Sequence, residues 1–256
     1  MNTNQHKTEF LYGLHPLQAL LEYRPEQVKE LAVRKGKRSS AQEALVAQAR
    51  TAGIKVAEVS ADQLNRNTGN GVHQGVMAEA EQRPDLGDTE LEQVLANSSE
   101  LLFLILDSVE DPRNLGACLR VADGAGVDGV IIARSRGARL TPLVAKVASG
   151  AAESVPCYRV ANLARTLKFM ADVGVQLVGA ADEGADSLYD LKPEQITALV
   201  IGHEGSGLRH LTRQHCSELV AIPMLGTVES LNLSVAAGVM LYEIQRKRLK
   251  LNVNNC

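Results

Sequence analysis

Leu101-Leu-Phe-Leu-Ile-Leu106 and the segment that follows, Asp107-Ser-Val-Glu-Asp-Pro-Arg-Asn-Leu-Gly-Ala-Cys-Leu-Arg120, decide the fold. A wholly apolar run has no polar face. It reads as a strand buried on both sides, the kind found inside a parallel sheet. A helix follows: Asn114 stands at an N-cap position, and Leu115, Leu119 and Ala122 share one face. The alternation then repeats. Residues 127–133, 155–160, 176–180, 198–201 and 219–222 read as strands. Residues 142–151, 163–173 and a long stretch from near 231 to about 248 read as helices. Strands alternating with helices predict an α/β domain whose parallel sheet is covered on both faces.

Upstream lies a smaller alternating unit. Leu14, Leu17, Leu20 and Leu21 follow helical spacing behind Gly13. Residues 28–33, 55–59 and 76–80 read as strands, and 39–52 as a helix stopped by Gly53. Pro84 to Ser99 is polar and broken by Gly87. The expected organisation is a small α/β domain over 8–83, a linker over 84–98 and a larger α/β domain over 99–256. The chain shows no internal repeat and no low-complexity tract.

Composition narrows the class. Of 256 residues, 45% are hydrophobic and 22% charged, which excludes a disordered chain. The longest apolar run is too short for a bilayer, which needs ~20 such residues. The N-terminus has no apolar core of a secretory signal, so a cytoplasmic location is expected. Cys118, Cys157, Cys216 and Cys256 form no C-x-x-C pair, so reduced thiols and no structural zinc are expected. Residues 1–83 carry 11 Lys+Arg against 9 Asp+Glu, and the rest 16 against 21. An RNA contact must then rest on local clusters rather than overall charge. Candidates for phosphate are Arg34, Lys35, Lys37 and Arg38, with Arg134, Arg136 and Arg139. Arg246, Lys247, Arg248 and Lys250 are expected to complement the negative end of the last helix.

Ligands of parallel α/β sheets sit at the carboxyl ends of the strands. Three such ends are rich here. After the 101–106 strand no glycine-rich turn appears, since Gly116 lies inside the helix, so a nucleotide-linked oxidoreductase is disfavoured. Asn114 and Arg120 are the polar groups of that segment. Ile201-Gly-His-Glu-Gly-Ser-Gly-Leu208 carries three glycines that allow close backbone approach, with Glu204 among them; no G-K-[ST] follows, so it is no P-loop. Ile222-Pro-Met leads to Ser230-Leu-Asn-Leu-Ser234, where three small polar groups open an apolar helix that needs only one as a cap. Asp107, Glu110 and Asp111 could imitate a magnesium site, but a strand-end acidic turn explains them, and no metal is expected.

Together these three segments resemble the SpoU (TrmH) family of RNA ribose 2′-O-methyltransferases, over residues ~100–250. The N-terminal unit, with Gly71-Val-His-Gln-Gly-Val76, resembles the family's substrate-binding domain, an L30e-like fold. The resemblance implies a deep trefoil knot (the SPOUT class), which is otherwise rare. It implies S-adenosyl-L-methionine (S-adenosylmethionine below) as cofactor, contacted by Gly202, Ile222 and Leu231, and a homodimer. By overall layout it implies methylation of a guanosine ribose in 23S rRNA. A tRNA ribose methyltransferase is the alternative within the class, and a non-catalytic ribosomal-type RNA-binding protein the alternative outside it.

The implied catalytic residues are Arg120, Asn114, Glu204, Ser230 and Asn232. Methyl transfer from a sulfonium is an in-line displacement, so alignment and loss of the hydroxyl proton are the tasks. No motif residue is an obvious base, and His203 reads as a loop residue. Arginine ordinarily stays protonated. Arg120 is therefore either a base with special neighbours or a stabiliser of the developing alkoxide or ribose phosphate. Asn114 would orient Arg120 or the ribose, and Glu204 would hold the loops or position Arg120. Ser230 and Asn232 would shape the cofactor pocket and the catalytic end.

Overall fold

The computed structural model describes residues 7–135, 137–182 and 185–253, with 250–253 described in backbone only. Arg136, Cys256 and the side chain of Lys250 lie outside the described residues. In chain order the elements are β1 (Thr8–Tyr12), α1 (Leu14–Tyr23), β2 (Val28–Arg34), α2 (Ser40–Thr51), β3 (Lys55–Val59), α3 (Ala61–Asn67), β4 (Val76–Glu81), α4 (Asp88–Asn97), β5 (Leu101–Leu106), α5 (Pro112–Gly124) and β6 (Gly129–Ala133). Then come α6 (Pro142–Ala148), α7 (Ala151–Ser154), β7 (Cys157–Val160), α8 (Leu163–Asp172), β8 (Gln176–Ala180), β9 (Asp186–Ser187), β10 (Ile196–Ile201), α9 (His210–His215), β11 (Glu218–Ala221) and α10 (Leu233–Val253).

The chain packs as two compact units. Among the described residues, one holds 7–84 with Leu140–Ser154 and the other 85–139 with 155–253. The first contains a mixed four-stranded sheet in the order β1-β4-β2-β3, in which β2 and β3 are parallel and the other pairs antiparallel. Ser39 begins α2 with a capping box: its hydroxyl accepts from the Gln42 amide, and the Gln42 side chain returns to the Ser39 N–H. Polar ties hold α6 and α7 in this unit: Lys146 Nζ of α6 donates to Gln74 Oε1, and two arginines hold α7. The buried Arg24 Nε donates to Glu153 Oε2 at 2.7 Å, and the Arg83 guanidinium donates to the Ala152 carbonyl.

The second unit holds a seven-stranded sheet in the order β7-β6-β5-β10-β8-β11-β9, with every neighbouring pair parallel. The expected parallel α/β architecture is what the structure has. Every residue of β5 is buried, and Phe103 meets Tyr158 edge to face at a centroid distance of 6.3 Å. The order is not the chain order: β10 enters between β5 and β8.

Three local expectations are corrected. Asn114 is not the N-cap of α5. Asp111 is, its side chain accepting from the Arg113 N–H, with Pro112 at the first helical position where its missing N–H costs nothing. The 84–98 stretch is not bare linker, because α4 lies in it. Leu91 is buried in the sheet's core cluster and Val94 and Leu95 pack against it, an i, i+3, i+4 stripe hidden among acidic and amide residues. Arg246, Lys247 and Arg248 do not serve the end of the last helix, which runs on to Val253. Arg246 pairs with Glu243. Lys247 Nζ donates to the carbonyls of Leu188, Tyr189 and Leu191. Arg248 bonds Glu100 and the Gln195 carbonyl. These cations tie α10 to the loops beside it.

Candidate active site

Strands β5 and β10 lie side by side in register, Leu106 opposite Ile201, so the segments that leave their carboxyl ends start as neighbours. Strand β11 lies two positions beyond β10, roughly 10 Å across at ~4.8 Å per strand. All the strands of this sheet run the same way. The three sequence motifs therefore emerge at one end of one sheet, beside the place where the strand order departs from the chain order. That is where open α/β sheets bind ligands.

The second motif folds back on itself. His203 N donates to the Gly207 carbonyl at 3.0 Å, and Gly207 N to the His203 carbonyl at 2.9 Å. Gly205 and Gly207 adopt φ of 92° and 64°, which favour glycine. A Cβ on Gly202 would stand 2.1 Å from the Gly207 carbonyl and 2.4 Å from the Leu208 nitrogen. Main chain meets main chain here with no room for a side chain. Such a loop suits a ligand held by backbone groups; Ile222, which follows β11 at the same end of the sheet, and Leu231 are both half-buried apolar residues. The residues present fit a nucleoside cofactor.

The first and second motifs touch. Asn114 Nδ2 donates to Glu204 Oε2 at 3.0 Å, bridging α5 to the loop after β10. Asn114, in the first turn of α5 but free of the cap, can make that bond. Arg120 lies farther along α5 and is exposed, its side chain forming no hydrogen bond or ion pair with any described residue. Ser230 is exposed and joined to none of these groups. Asn232 Oδ1 accepts from the Ser234 N–H at 3.0 Å and from its hydroxyl at 2.7 Å, closing the start of α10. Helix α10 then runs along α5. Tyr242 donates to the Gly124 carbonyl and Gln245 to the Ala125 carbonyl, satisfying acceptors that the end of α5 would leave open.

Sequence reasoning missed the group that holds this end of the sheet. Asp107, fully buried at the tip of β5, accepts from Thr212 Oγ1 at 2.6 Å and pairs with Arg209 Nη2 at 2.5 Å. The Arg209 N–H and the Ser108 hydroxyl also reach it. A carboxylate closing an apolar strand was the available signal, because a buried charge demands partners. Burial pushes its carboxyl up, but the Arg209 guanidinium and the Thr212 hydroxyl outweigh burial and hold it below the ordinary carboxylate value. A depressed folded value stabilises the fold above the unfolded value of ~3.9, and that contribution is lost as pH falls through the folded value. An Asp107→Asn variant is thus less stable than wild type at pH 7, and the gap narrows on acidification below about pH 4. Urea denaturation at pH 7 and pH 3 checks this; an unchanged gap contradicts it. Among the described residues no group of His, Cys, Asp and Glu is arranged to hold a metal.

In the N-terminal unit, Arg34, Lys35 and Lys37 are exposed, whereas Arg38 is engaged by Glu58 and Glu43. The 71–76 segment lies beside them, with Val72 74% exposed at its tip. His73 Nδ1 accepts from the Gly75 N–H, so its Nε2–H donates to Asn65 Oδ1. Burial, then the charge of Arg34, lowers its pKa, which keeps the ring neutral in that pairing. Gln74 Oε1 accepts from Lys146 Nζ at 2.7 Å and from the Leu14 N–H. In the other unit, Arg134 Nε donates to the Arg159 carbonyl, and Arg139 is exposed.

The SpoU rRNA Methylase family pattern matches residues 101–242, and the pattern for RNA 2′-O ribose methyltransferase substrate binding matches residues 10–86. The chain is 44% identical over 241 residues to the 23S rRNA (guanosine-2′-O-)-methyltransferase RlmB of Yersinia pestis, covering 94% of this chain and 98% of that one. It is 43% identical to the protein of the same name from Escherichia coli strain K12, covering 94% and 99%. Among solved structures, the SpoU methyltransferase AviRb of Streptomyces viridochromogenes in complex with the cofactor AdoMet superposes with a TM-score of 0.77 at 26% identity, covering 97% of this chain and 94% of that one.

Proposed function

The chain belongs to the SpoU rRNA methylase family, and from that premise we infer that it is an S-adenosylmethionine-dependent enzyme that methylates the 2′-oxygen of a guanosine ribose in 23S rRNA. The observation that carries the reading is near-full-length identity of 44% to a relative of that activity. The motifs that would perform it all leave one end of the parallel sheet.

S-adenosylmethionine supplies an activated methyl group, its positive sulfur making a good leaving group. The loop of residues 202–208, with Ile222 and Leu231, would hold the nucleoside part through backbone and apolar groups. Asn114 and Glu204 lock α5 against that loop, so the acceptor and donor sides keep one spacing; a fixed near-attack geometry can be worth ~7–11 kcal/mol. Arg120 carries no protein counter-ion among the described residues, so its guanidinium is available to RNA. We assign it to the oxygen that gains charge as the ribose hydroxyl loses its proton. Asn232 sets the start of α10, and Ser230 stands just before it at the rim of the same end.

Residues 8–83 bind the RNA substrate through Arg34, Lys35, Lys37 and the exposed 71–76 loop, and 99–256 carry the catalysis, in a deep trefoil knot; the expected linker 84–98 instead packs α4 on the larger sheet, and residues 140–154 pack with the smaller unit. The working form is a cytoplasmic homodimer. In support of a partner copy, Val235, Val239, Tyr242 and Leu249 are exposed on α10 at spacings of four, three and seven, one apolar stripe along a helix. None of the described helices is long and apolar enough to cross a membrane.

Parallel reactions with methyl-labelled S-adenosylmethionine test the substrate. Unmodified 23S rRNA becomes labelled and bulk tRNA does not. Label on tRNA alone overturns the assignment.

A further inference from the structure

We propose that Asp107 is a positioning residue for the cofactor: a single buried side chain and its own backbone clamp both ends of the loop that receives the nucleoside. The proposal rests on the reading that residues 202–208 hold S-adenosylmethionine. At the entry, the Asp107 N–H donates to the Ile201 carbonyl at 2.8 Å, fixing the last residue of β10 against β5. At the exit, the Asp107 carboxylate takes the Arg209 guanidinium at 2.5 Å, the Arg209 N–H at 3.4 Å and the Thr212 hydroxyl at 2.6 Å. Arg209 follows Leu208 directly. Asp107 thereby ties both ends of the span between Ile201 and Arg209.

Between these ends residues 203–207 are all exposed; the inner pair, His203 with Gly207, shapes the tip, and Leu208 packs on the core cluster beside the exit. The Asn114–Glu204 bond holds the tip from the side of α5. A carboxylate suits the clamp because one side chain must accept from several donors on two groups. An amide of the same size keeps one acceptor oxygen and loses the charge. If packing alone mattered, an apolar residue would serve as well, since removing a buried charge avoids its desolvation. Ser108, which follows, adopts a left-handed φ of 66° and turns its hydroxyl onto the same carboxylate, so the chain bends around it.

The test compares wild type with Asp107→Asn and with Arg209→Gln, whose amide keeps a donor for the buried carboxylate, each assayed as the folded protein. Calorimetric titration with S-adenosylhomocysteine, well below the melting temperature of each variant, reads the clamp directly. The expected result is affinity weakened about tenfold or more in Asp107→Asn, the size of one lost charge-assisted hydrogen bond. Arg209→Gln weakens it too, and the double variant is no worse than Asp107→Asn, because both changes open one clamp. The KM for S-adenosylmethionine rises by the same factor with the turnover number at saturation nearly unchanged, and affinity for 23S rRNA stays at the wild-type value. A merely structural role would lower the active fraction and leave KM alone. Wild-type affinity in both folded variants overturns the clamp. No binding by wild type overturns the cofactor reading beneath it.

Discussion

An Arg120→Ala variant binds S-adenosylhomocysteine as tightly as wild type but loses about 10²- to 10³-fold in turnover number, the usual cost of removing one donor that stabilises a developing oxyanion. The reason lies in where the residue sits. Arg120 is on α5, past the turn that carries Asn114, and it is exposed and bound to no described carboxylate. Nothing in the fold depends on its charge, so the variant stays folded. The cofactor loop is held from elsewhere, by Asp107 and by the Asn114–Glu204 bond. Single-turnover kinetics with saturating S-adenosylmethionine separate the two effects. A variant with near wild-type rates removes Arg120 from the chemistry, and one that no longer binds the product places it in the cofactor site instead.

Gly202→Ala produces the opposite pattern, because it spoils the seat and leaves Arg120 on α5 in place. The added methyl would lie 2.1 Å from the Gly207 carbonyl, and both obstacles around it, Gly207 and the Leu208 nitrogen, are main chain. No side chain can swing aside. The loop must open, at a cost of the order of the ~1–3 kcal/mol typical of overpacking, and every kilocalorie is subtracted from binding. Affinity for S-adenosylhomocysteine falls roughly 10- to 100-fold. The rest of the sheet is unaffected because residues 203–207 face solvent. Calorimetry on the folded variant checks this, and native affinity would show that the loop is not the seat.

Much of this architecture was legible in the residues. An unbroken apolar strand from Leu101 to Leu106 can only sit inside a sheet, and it does. The alternation after it gave the helices and the parallel class. What periodicity cannot carry is the order of strands. Nothing in residues 196–201 says that β10 lies beside β5 rather than beside β8 alone, because both neighbours offer the same apolar faces. Helix α4 was hidden for another reason: Leu91, Val94 and Leu95 are diluted by the polar residues that face solvent around them. Asp111 outcompeted Asn114 as cap because Pro112 fixes where the helix can begin.

The site was legible in type and only partly in geometry. Asn114 and Glu204 stand 90 residues apart in sequence and form one hydrogen bond in space. Each was a candidate from its own motif, but their partnership follows from the β5–β10 pairing. In sequence Asp107 reads as part of an acidic turn, because its partners Arg209 and Thr212 lie more than 100 positions away. Asn232 combines two demands: it closes the start of α10 and stands among the candidate residues.

Nucleoside analysis of methylated 23S rRNA reaches the central claim most directly. After reaction with methyl-labelled S-adenosylmethionine, the RNA is digested to nucleosides and separated. All of the label should elute as 2′-O-methylguanosine, and the backbone linkage at that nucleotide should resist alkali, since its 2′-hydroxyl is blocked. Label in a base-methylated nucleoside, or in the ribose of another base, would contradict the account.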